Sequence, residues 1–135
     1  PQLRIAELDG CKIVSAKRDG PIAMFLVARS SGQYDRIILR LNEDFTRYDL
    51  RTVADVEPRE PNFVTLDTGV CVVLEDDNTL EIFSTIVGKD GRRQVKDKAL
   101  ESGKITLFKY HGKLAAAVEG NDGITTLSTL TLGGP

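Results

Sequence analysis

The amino-acid sequence repeats one pattern three times, and this repeat constrains the fold more than any other feature. Each copy has a short apolar segment that begins at Ile13, Phe63 or Ile105, and a glycine follows six or seven residues later. An apolar run, a polar turn and a third short segment then follow in the same order. Such segments, separated by Gly, Asp, Asn and Ser, are typical of antiparallel strands joined by hairpins. The repeat therefore predicts an all-β chain.

The glycines and polar turns mark equivalent positions in the three copies. We expect Gly20, Gly69 and Gly112 to lie between the first and second strands. The turns between the second and third strands read SSGQ at 30–33, EDDN at 75–78 and GNDG at 120–123. These turns are rich in residues that accept positive φ, so the acidic group in the second one is interpreted as turn chemistry. A calcium site on its carboxylates is the alternative, although ligand spacing of the EF-hand kind is absent.

The remaining segments of each repeat predict inner and outer strands of a sheet. The second segment is apolar on both faces, as in a strand that is covered on both sides, and it occupies residues 22–28, 70–74 and 114–118. The third segment occupies residues 36–41, 80–84 and 125–130, and a fourth strand fits residues 45–53 and 92–100. The third repeat lacks a fourth strand, so we expect residues 2–8 to form a strand that completes it. The repeats span about 11–53, 62–100 and 104–132 of a single domain, 1–135.

Four strands in a unit of 40 to 50 residues is the period of a propeller blade. In period and strand order, most of the chain resembles the WD-repeat and related β-propeller families. The signature dipeptides are absent, since the chain has no tryptophan and His111-Gly112 reverses the Gly-His order. The resemblance implies four-stranded antiparallel blade-like sheets in a partial or oligomer-completed β-propeller. A β-sandwich or barrel with similar hairpins is the alternative.

Composition and charge exclude several classes of protein. The chain is 41% hydrophobic and 28% charged, which is typical of soluble globular domains. No apolar stretch approaches the roughly 20 residues of a membrane-spanning helix. A formal net charge of −2 gives no electrostatic reason to expect nucleic acid or an anionic membrane as a partner. Cys11 and Cys71 do not suggest a disulfide framework, which favours an intracellular, cytoplasmic location.

The residue types that catalysis needs are scattered along the sequence. The single histidine, His111, lies in a hairpin connection, and Cys71 lies inside an apolar run as a small buried hydrophobe would. Two cysteines and one histidine so placed do not make a zinc site, and no Gly-rich phosphate loop opens a helix. The sequence therefore predicts no enzyme, metal or cofactor. A hydrolase-type propeller enzyme is an alternative, with acid and base drawn from Glu43, Asp44, Asp76 and Asp77.

Arginine and tyrosine residues collect on the outer strands of the first repeat. Arg36, Arg40, Arg47 and Arg51 share one face if alternate residues point the same way, interrupted by Asp49. Arg and Tyr are enriched at protein interfaces. The predicted interaction residues are Tyr34, Arg36, Arg40, Arg47, Tyr48 and Arg51. An ordinary solvated edge is the alternative.

The sequence as a whole predicts a non-catalytic protein–protein interaction scaffold that binds a protein partner or a copy of itself. A small binding module built on a sandwich or barrel is the second hypothesis. The hydrolase-type propeller enzyme is the third.

Overall fold

The computed structural model describes residues 2–101 and 103–132 and has an all-β fold. Its strands form three antiparallel sheets, none of which closes within the described residues. Helical structure there is confined to two single 3₁₀ turns, Ala6–Leu8 and Lys98–Leu100. The prediction of an all-β chain is therefore confirmed. None of the described helical segments has the length and apolar character that crossing a membrane requires.

The contacts gather the strands into two compact units. The first unit contains one four-stranded sheet and the segment Thr85–Lys89, and the second unit contains the other two sheets. The assignment of the whole chain to one domain stays a prediction.

The sheet of the first unit has its strands in sequence order. They are β1 (Lys12–Asp19), β2 (Ile22–Ala28), β3 (Tyr34–Leu41) and β4 (Tyr48–Val53). The two central strands supply most of its buried residues, and Ile22, Met24 and Val27 are completely buried. The apolar run that the sequence assigns to an inner strand therefore occupies one, since β2 pairs with β1 on one side and β3 on the other.

The second unit contains a four-stranded and a three-stranded sheet. The strands of the first are β5 (Phe63–Thr65), β6 (Val70–Leu74), β7 (Leu80–Ser84) and β8 (Arg93–Val95). Those of the other are β9 (Lys104–Tyr110), β10 (Lys113–Glu119) and β11 (Thr125–Thr129). Residues from both sheets form one hydrophobic cluster, in which Val72 and Ala116 are completely buried. Burial of this shared apolar face is the main stabilisation of the unit.

Asn62, just before β5, ties the two sheets of this unit together. Its side-chain Nδ2 donates a hydrogen bond of 2.7 Å to the carbonyl of Ile105, and its Oδ1 accepts one of 3.0 Å from the N–H of Leu107. Its own backbone carbonyl accepts a hydrogen bond from the N–H of Leu74 at 2.9 Å. One amide side chain thus satisfies two strand backbone groups of β9, while its backbone continues the pairing with β6.

The turns between the second and third strands have the same geometry in all three repeats. In each five-residue turn, the first N–H donates to the fifth carbonyl and the fourth N–H donates to the first carbonyl, at residues 29–33, 75–79 and 120–124. The fourth residue has positive φ and is Gly32, Asn78 or Gly123. The side chain of the third residue accepts a hydrogen bond from the fifth N–H, and this residue is Ser31, Asp77 or Asp122. The acidic group at 75–78 is therefore turn chemistry, as predicted.

The glycines between the first and second strands occupy corresponding connections, as expected, but the turns differ. Gly20 opens a two-residue turn with a φ of +58°, whereas Gly112 closes one with a φ of +74° after His111, whose φ is +48°. Gly69 ends a longer turn, in which its N–H donates to the carbonyl of Leu66. The repeat therefore conserves the position of these glycines within the hairpin rather than one turn type.

The prediction that residues 2–8 form a strand completing the last sheet is wrong. The N–H groups of Leu8 and Asp9 donate to the carbonyls of Ile5 and Ala6, both at 3.0 Å, which turns the chain into a 3₁₀ helix. Ala, Glu and Leu are good helix formers, and this short-range preference overrides the alternating pattern. The third sheet consequently has three strands within the described residues, not the four that the blade-like units require.

The predicted fourth strand at 92–100 is shorter than expected. Only Arg93–Val95 pairs with β7, and the chain then turns into the 3₁₀ helix at Lys98–Leu100. Asp97 starts this helix, because its Oδ1 accepts a hydrogen bond of 2.9 Å from the N–H of Ala99. The fourth strand of the first repeat, by contrast, forms within its predicted range as β4.

Candidate interaction site

The six predicted interaction residues all lie in the first unit, but they do not form one exposed ridge. The pairing of β3 with β4 places four of them on one face of the sheet, namely Tyr34, Arg36, Arg40 and Arg51. Tyr48 points to the other face, and Arg47 precedes the first residue of β4. The shared face of Arg36, Arg40 and Arg51 is thus as expected, whereas the place of Arg47 on this face stays a prediction.

Two arginines of that face have mostly buried side chains. Arg36 is only 5% exposed. Arg40 forms a two-pronged ion pair with Asp49 on the neighbouring strand, with Nε–Oδ1 and Nη2–Oδ2 distances of 2.7 and 2.6 Å. Its Nη1 also donates to the carbonyl of Lys89 at 2.9 Å. A guanidinium with this many partners serves the fold, so the contact surface must be sought among the residues that remain exposed.

Asp49 is the central acceptor in this group of hydrogen bonds. Its Oδ2 also accepts a hydrogen bond of 2.9 Å from the N–H of Gly88. Partial burial favours the neutral carboxyl, but the hydrogen bonds from Arg40 and Gly88 and the charge of Arg40 outweigh it, so the pKa of Asp49 lies below its ordinary value. The residue that interrupts the arginine pattern in the sequence is therefore the counter-charge of Arg40.

A second ion pair lies at the turn between β2 and β3. The carboxylate of Asp35, which is buried, accepts hydrogen bonds from Arg29 at 2.7 Å, from Gln33 at 3.0 Å and from the N–H of Asp55 at 3.1 Å. Burial disfavours its charge, but these donors lower the pKa of Asp35. Arg29 also donates to the Sγ of Cys11 at 3.0 Å. This network fixes the turn and the start of β3.

The connection between β3 and β4 is exposed at residues 43–47. Asn42 organises it, because its Oδ1 accepts hydrogen bonds from the N–H groups of Thr46 and Arg47 at 2.9 and 2.8 Å. Its Nδ2 donates to Asp44 and Thr46, and its backbone carbonyl accepts from the N–H of Phe45 at 3.2 Å. A loop held by one central side chain in this way is ordered in advance of any contact. We name residues 42–48 the Phe45 loop.

Phe45 has an unusual backbone conformation. Among the described residues, four that are not glycine have positive φ, and three of them are of types that tolerate it, namely Asp55, Asn78 and His111. Phe45 is the fourth, with a φ of +60°. Its side chain is 43% exposed. A bulky residue in this conformation costs free energy, and such strain is concentrated at sites of function.

Arg47 and Tyr48 complete the surface next to Phe45. Arg47 is exposed, and Tyr48 is half-buried with its hydroxyl donating to the Glu7 carboxylate at 2.8 Å. That hydrogen bond raises the pKa of Tyr48. Of the residues on this surface, Arg47 and Tyr48 are among the predicted interaction residues, whereas Asn42 and Phe45 are not. A turn-forming Asn four residues before Thr46, with an aromatic residue inside the turn, is the signal that identifies them.

His111, Cys71 and Cys11 differ in their exposure and local contacts. His111 is exposed in its hairpin turn. Its ring lies edge-on to that of Tyr110, and the two ring centroids are 4.4 Å apart. Cys71 is buried, as predicted, and Cys11 is partly exposed; neither forms a disulfide. The described part of the chain brings no three His, Cys, Asp or Glu side chains together in a group that would hold a metal ion.

Comparison with models of known protein families, with curated proteins and with solved structures finds no match to this chain.

Proposed function

We propose that this chain is a non-catalytic protein–protein interaction scaffold and that the Phe45 loop is the element that contacts its partner. One observation carries the proposal: a half-exposed phenylalanine is held at positive φ by a network centred on Asn42. Aromatic and arginine side chains account for much of the binding energy at protein interfaces. Phe45 and Arg47 supply one of each on an ordered loop.

The strain at Phe45 supports a role in binding rather than in folding. Glycine or asparagine at this position would satisfy the turn with less strain. A phenylalanine there lowers the stability of the free protein, and its exposed ring gains contacts only when another molecule covers it. Because Asn42 fixes the loop beforehand, little conformational entropy is lost when a partner binds.

The scaffold itself is, in this proposal, a set of blades from a partial or oligomer-completed β-propeller. The three equivalent turns at 29–33, 75–79 and 120–124 support a repeated unit of this kind. A β-sandwich or barrel presenting the same loop is the alternative architecture. In either case the loop between a third and a fourth strand is a common place for a binding surface, since loops on a rigid sheet vary freely.

Affinity purification with quantitative mass spectrometry tests the proposal. The baits are the unaltered chain, Phe45→Gly, Arg47→Ala and the matched control Ile86→Ala, whose isoleucine is 59% exposed in the same unit. We expect one or more proteins to be retained by the unaltered chain and the control and to fall at least about tenfold with Phe45→Gly. Equal recovery by all four baits, each shown to be folded by circular dichroism, would refute the proposed role of the loop.

A further inference from the structure

The third sheet ends at an exposed edge strand that carries no charge. β11 pairs with β10 alone within the described residues, and its sequence is TTLST. It follows the same turn as β3 and β7, each of which pairs with a further strand, β4 or β8. The peptide groups along the outer edge of β11 are therefore available to a strand from another molecule.

The other sheet edges have features that discourage such pairing. β1 carries Lys12, Lys17 and Arg18 and has a register shift between Ile13 and Ser15. β4, β8 and β9 each contain an arginine or a lysine, and β5 is a buried strand of three residues. Charges, bulges and short length are how proteins protect their edges. β11 has five residues, no charge and no interruption of its register with β10.

We infer that β11 pairs antiparallel with β11 of a second copy of this chain, about a two-fold axis at Leu127. In this register Thr125 lies opposite Thr129 of the second copy, and Thr126 lies opposite Ser128 of the second copy. Hydroxyl side chains thus face hydroxyl side chains, and leucine faces leucine, which are favourable cross-strand pairs. The sequence TTLST is therefore complementary to itself when reversed.

Charge supports a second copy as the occupant. A two-fold axis brings the charged residues of an edge from both copies into one interface. β11 contributes no charged residue, so the pairing brings no like charges together. β1 would bring three basic residues and one acidic residue from each copy to the shared edge. β11 is thus the exposed edge best suited to self-pairing.

Exposed apolar side chains on both sides of the β11 edge fit the same arrangement. Leu127 is 70% exposed and Ile124 is 63% exposed. A groove of about 280 Å³ beside this strand is lined by Ile124, Thr126 and Ser128 together with Ala99, Val118, Gly120 and Asp122. Extending the register by one pair brings Ile124 against Leu130 of the second copy, beside this groove. The pairing thereby covers apolar surface on one face at Leu127 and on the other at Ile124.

Sedimentation velocity over a wide range of protein concentration tests the inference. An interface of one strand from each copy is small, so we expect a monomer–dimer equilibrium that shifts towards the dimer at high concentration. Leu127→Lys places two lysines opposite each other and should raise the dissociation constant at least about tenfold. Ile86→Lys adds the same charge at another exposed isoleucine and should leave the equilibrium unchanged. A monomer at every concentration would overturn the inference.

Mixing two variants tests the register. Leu127→Lys and Leu127→Glu should each be monomeric, whereas an equimolar mixture at low ionic strength should form a mixed dimer, identified by its mass in native mass spectrometry. If the unaltered chain dimerises but the two variants also dimerise separately, or the mixture stays monomeric, another surface forms the dimer and the inference fails. Assemblies larger than two copies would equally contradict a closed two-fold pairing.

This inference concerns a different surface from the Phe45 loop and does not depend on the proposed function. Phe45→Gly should leave the monomer–dimer equilibrium unchanged, and Leu127→Lys should still retain any protein that the Phe45 loop binds. The two sets of experiments therefore succeed or fail separately.

Discussion

Arg40 and Asp49 lie opposite each other on β3 and β4 and join through two hydrogen bonds of 2.7 and 2.6 Å. The same two side chains hold the backbone of Gly88 and Lys89. The pair therefore links two strands of the first sheet to the segment Thr85–Lys89. Its geometry is of the bidentate kind that makes arginine–carboxylate pairs strong.

Replacing Asp49 should destabilise the protein. In Asp49→Asn the mostly buried guanidinium of Arg40 loses its counter-charge, and we expect the free energy of unfolding to fall by about 2 kcal/mol. Urea denaturation followed by circular dichroism measures the change. Asp9→Asn removes the exposed ion pair with Arg4 and should change the stability by less than about 0.5 kcal/mol. Equal effects of the two variants would contradict the structural role of Arg40.

The buried carboxylate of Asp35 should make stability depend on pH. Its pKa is lower in the folded protein than in the unfolded chain, so its charged form stabilises the fold above the unfolded pKa. This contribution is lost as the pH falls through the folded pKa. The difference in unfolding free energy between the unaltered chain and Asp35→Asn should therefore be largest near neutral pH and shrink in acid. A difference that is constant between pH 7 and pH 3 would show that folding does not lower the pKa of Asp35.

Asn62 should be sensitive to the loss of a single donor. In Asn62→Asp the carboxylate still accepts from the N–H of Leu107 but faces the carbonyl of Ile105 without a proton to donate. We expect a loss of about 2–3 kcal/mol at neutral pH. The pKa of the new carboxyl should be raised, so protonation restores the donor and the deficit narrows as the pH falls. Thermal unfolding at several pH values measures this, and a deficit that widens in acid would contradict the geometry.

Gly103 lies where a side chain has no room. A Cβ there would lie 2.4 Å from the backbone carbonyl oxygen of Glu119, and the φ of Gly103 is +121°. We expect Gly103→Ala to lower the unfolding free energy by about 3 kcal/mol. Gly91→Ala is a matched control, because its φ is +116° but nothing lies within 4 Å of the added Cβ. It should cost about 1 kcal/mol from backbone strain alone, and chemical denaturation of both variants separates strain from collision.

Two substitutions at Phe45 separate its backbone strain from its side-chain contacts. Phe45→Ala and Phe45→Gly both remove the ring, but only glycine accepts a φ of +60° without strain. We expect Phe45→Gly to be more stable than Phe45→Ala by about 1 kcal/mol in denaturant titrations. If alanine were equally stable, the strain that motivates the proposed binding role would be absent.

The sheet structure was predictable because it rests on local patterns. The apolar runs that include Val72 and Ala116 are inner strands, and the residue types at 75–78 and 120–123 match the turns that they form. The prediction failed at residues 2–8. Their alternation is compatible with a strand, but the hydrogen bonds of Leu8 and Asp9 form a 3₁₀ turn. Alternation over so few residues does not decide between the two.

The candidate site was only partly predictable because burial and pairing are not local. The sequence places Arg36 and Arg40 on one strand face, yet it does not show that both side chains are mostly buried. Asp49 interrupts the arginine pattern in the sequence, but in the structure it is the ion-pair partner of Arg40. The strain at Phe45 depends on hydrogen bonds that Asn42 makes across the loop, which residue types alone do not specify. The structure therefore makes the exposed Phe45 loop a better candidate contact surface than the face that carries Arg36 and Arg40.

Strand order has a consequence for how the chain folds as it is synthesised. Every strand within the three sheets pairs with its neighbour in sequence, so each hairpin can close as soon as its own residues leave the ribosome. The bonds that hold Thr85–Lys89 to Asp49, and those from Asn62 to β9, join residues far apart in sequence and must wait for later segments. Nascent chains long enough to contain the first sheet but not Gly88 should therefore hold paired strands that are easily opened, and consolidation should come in steps as each distant partner emerges.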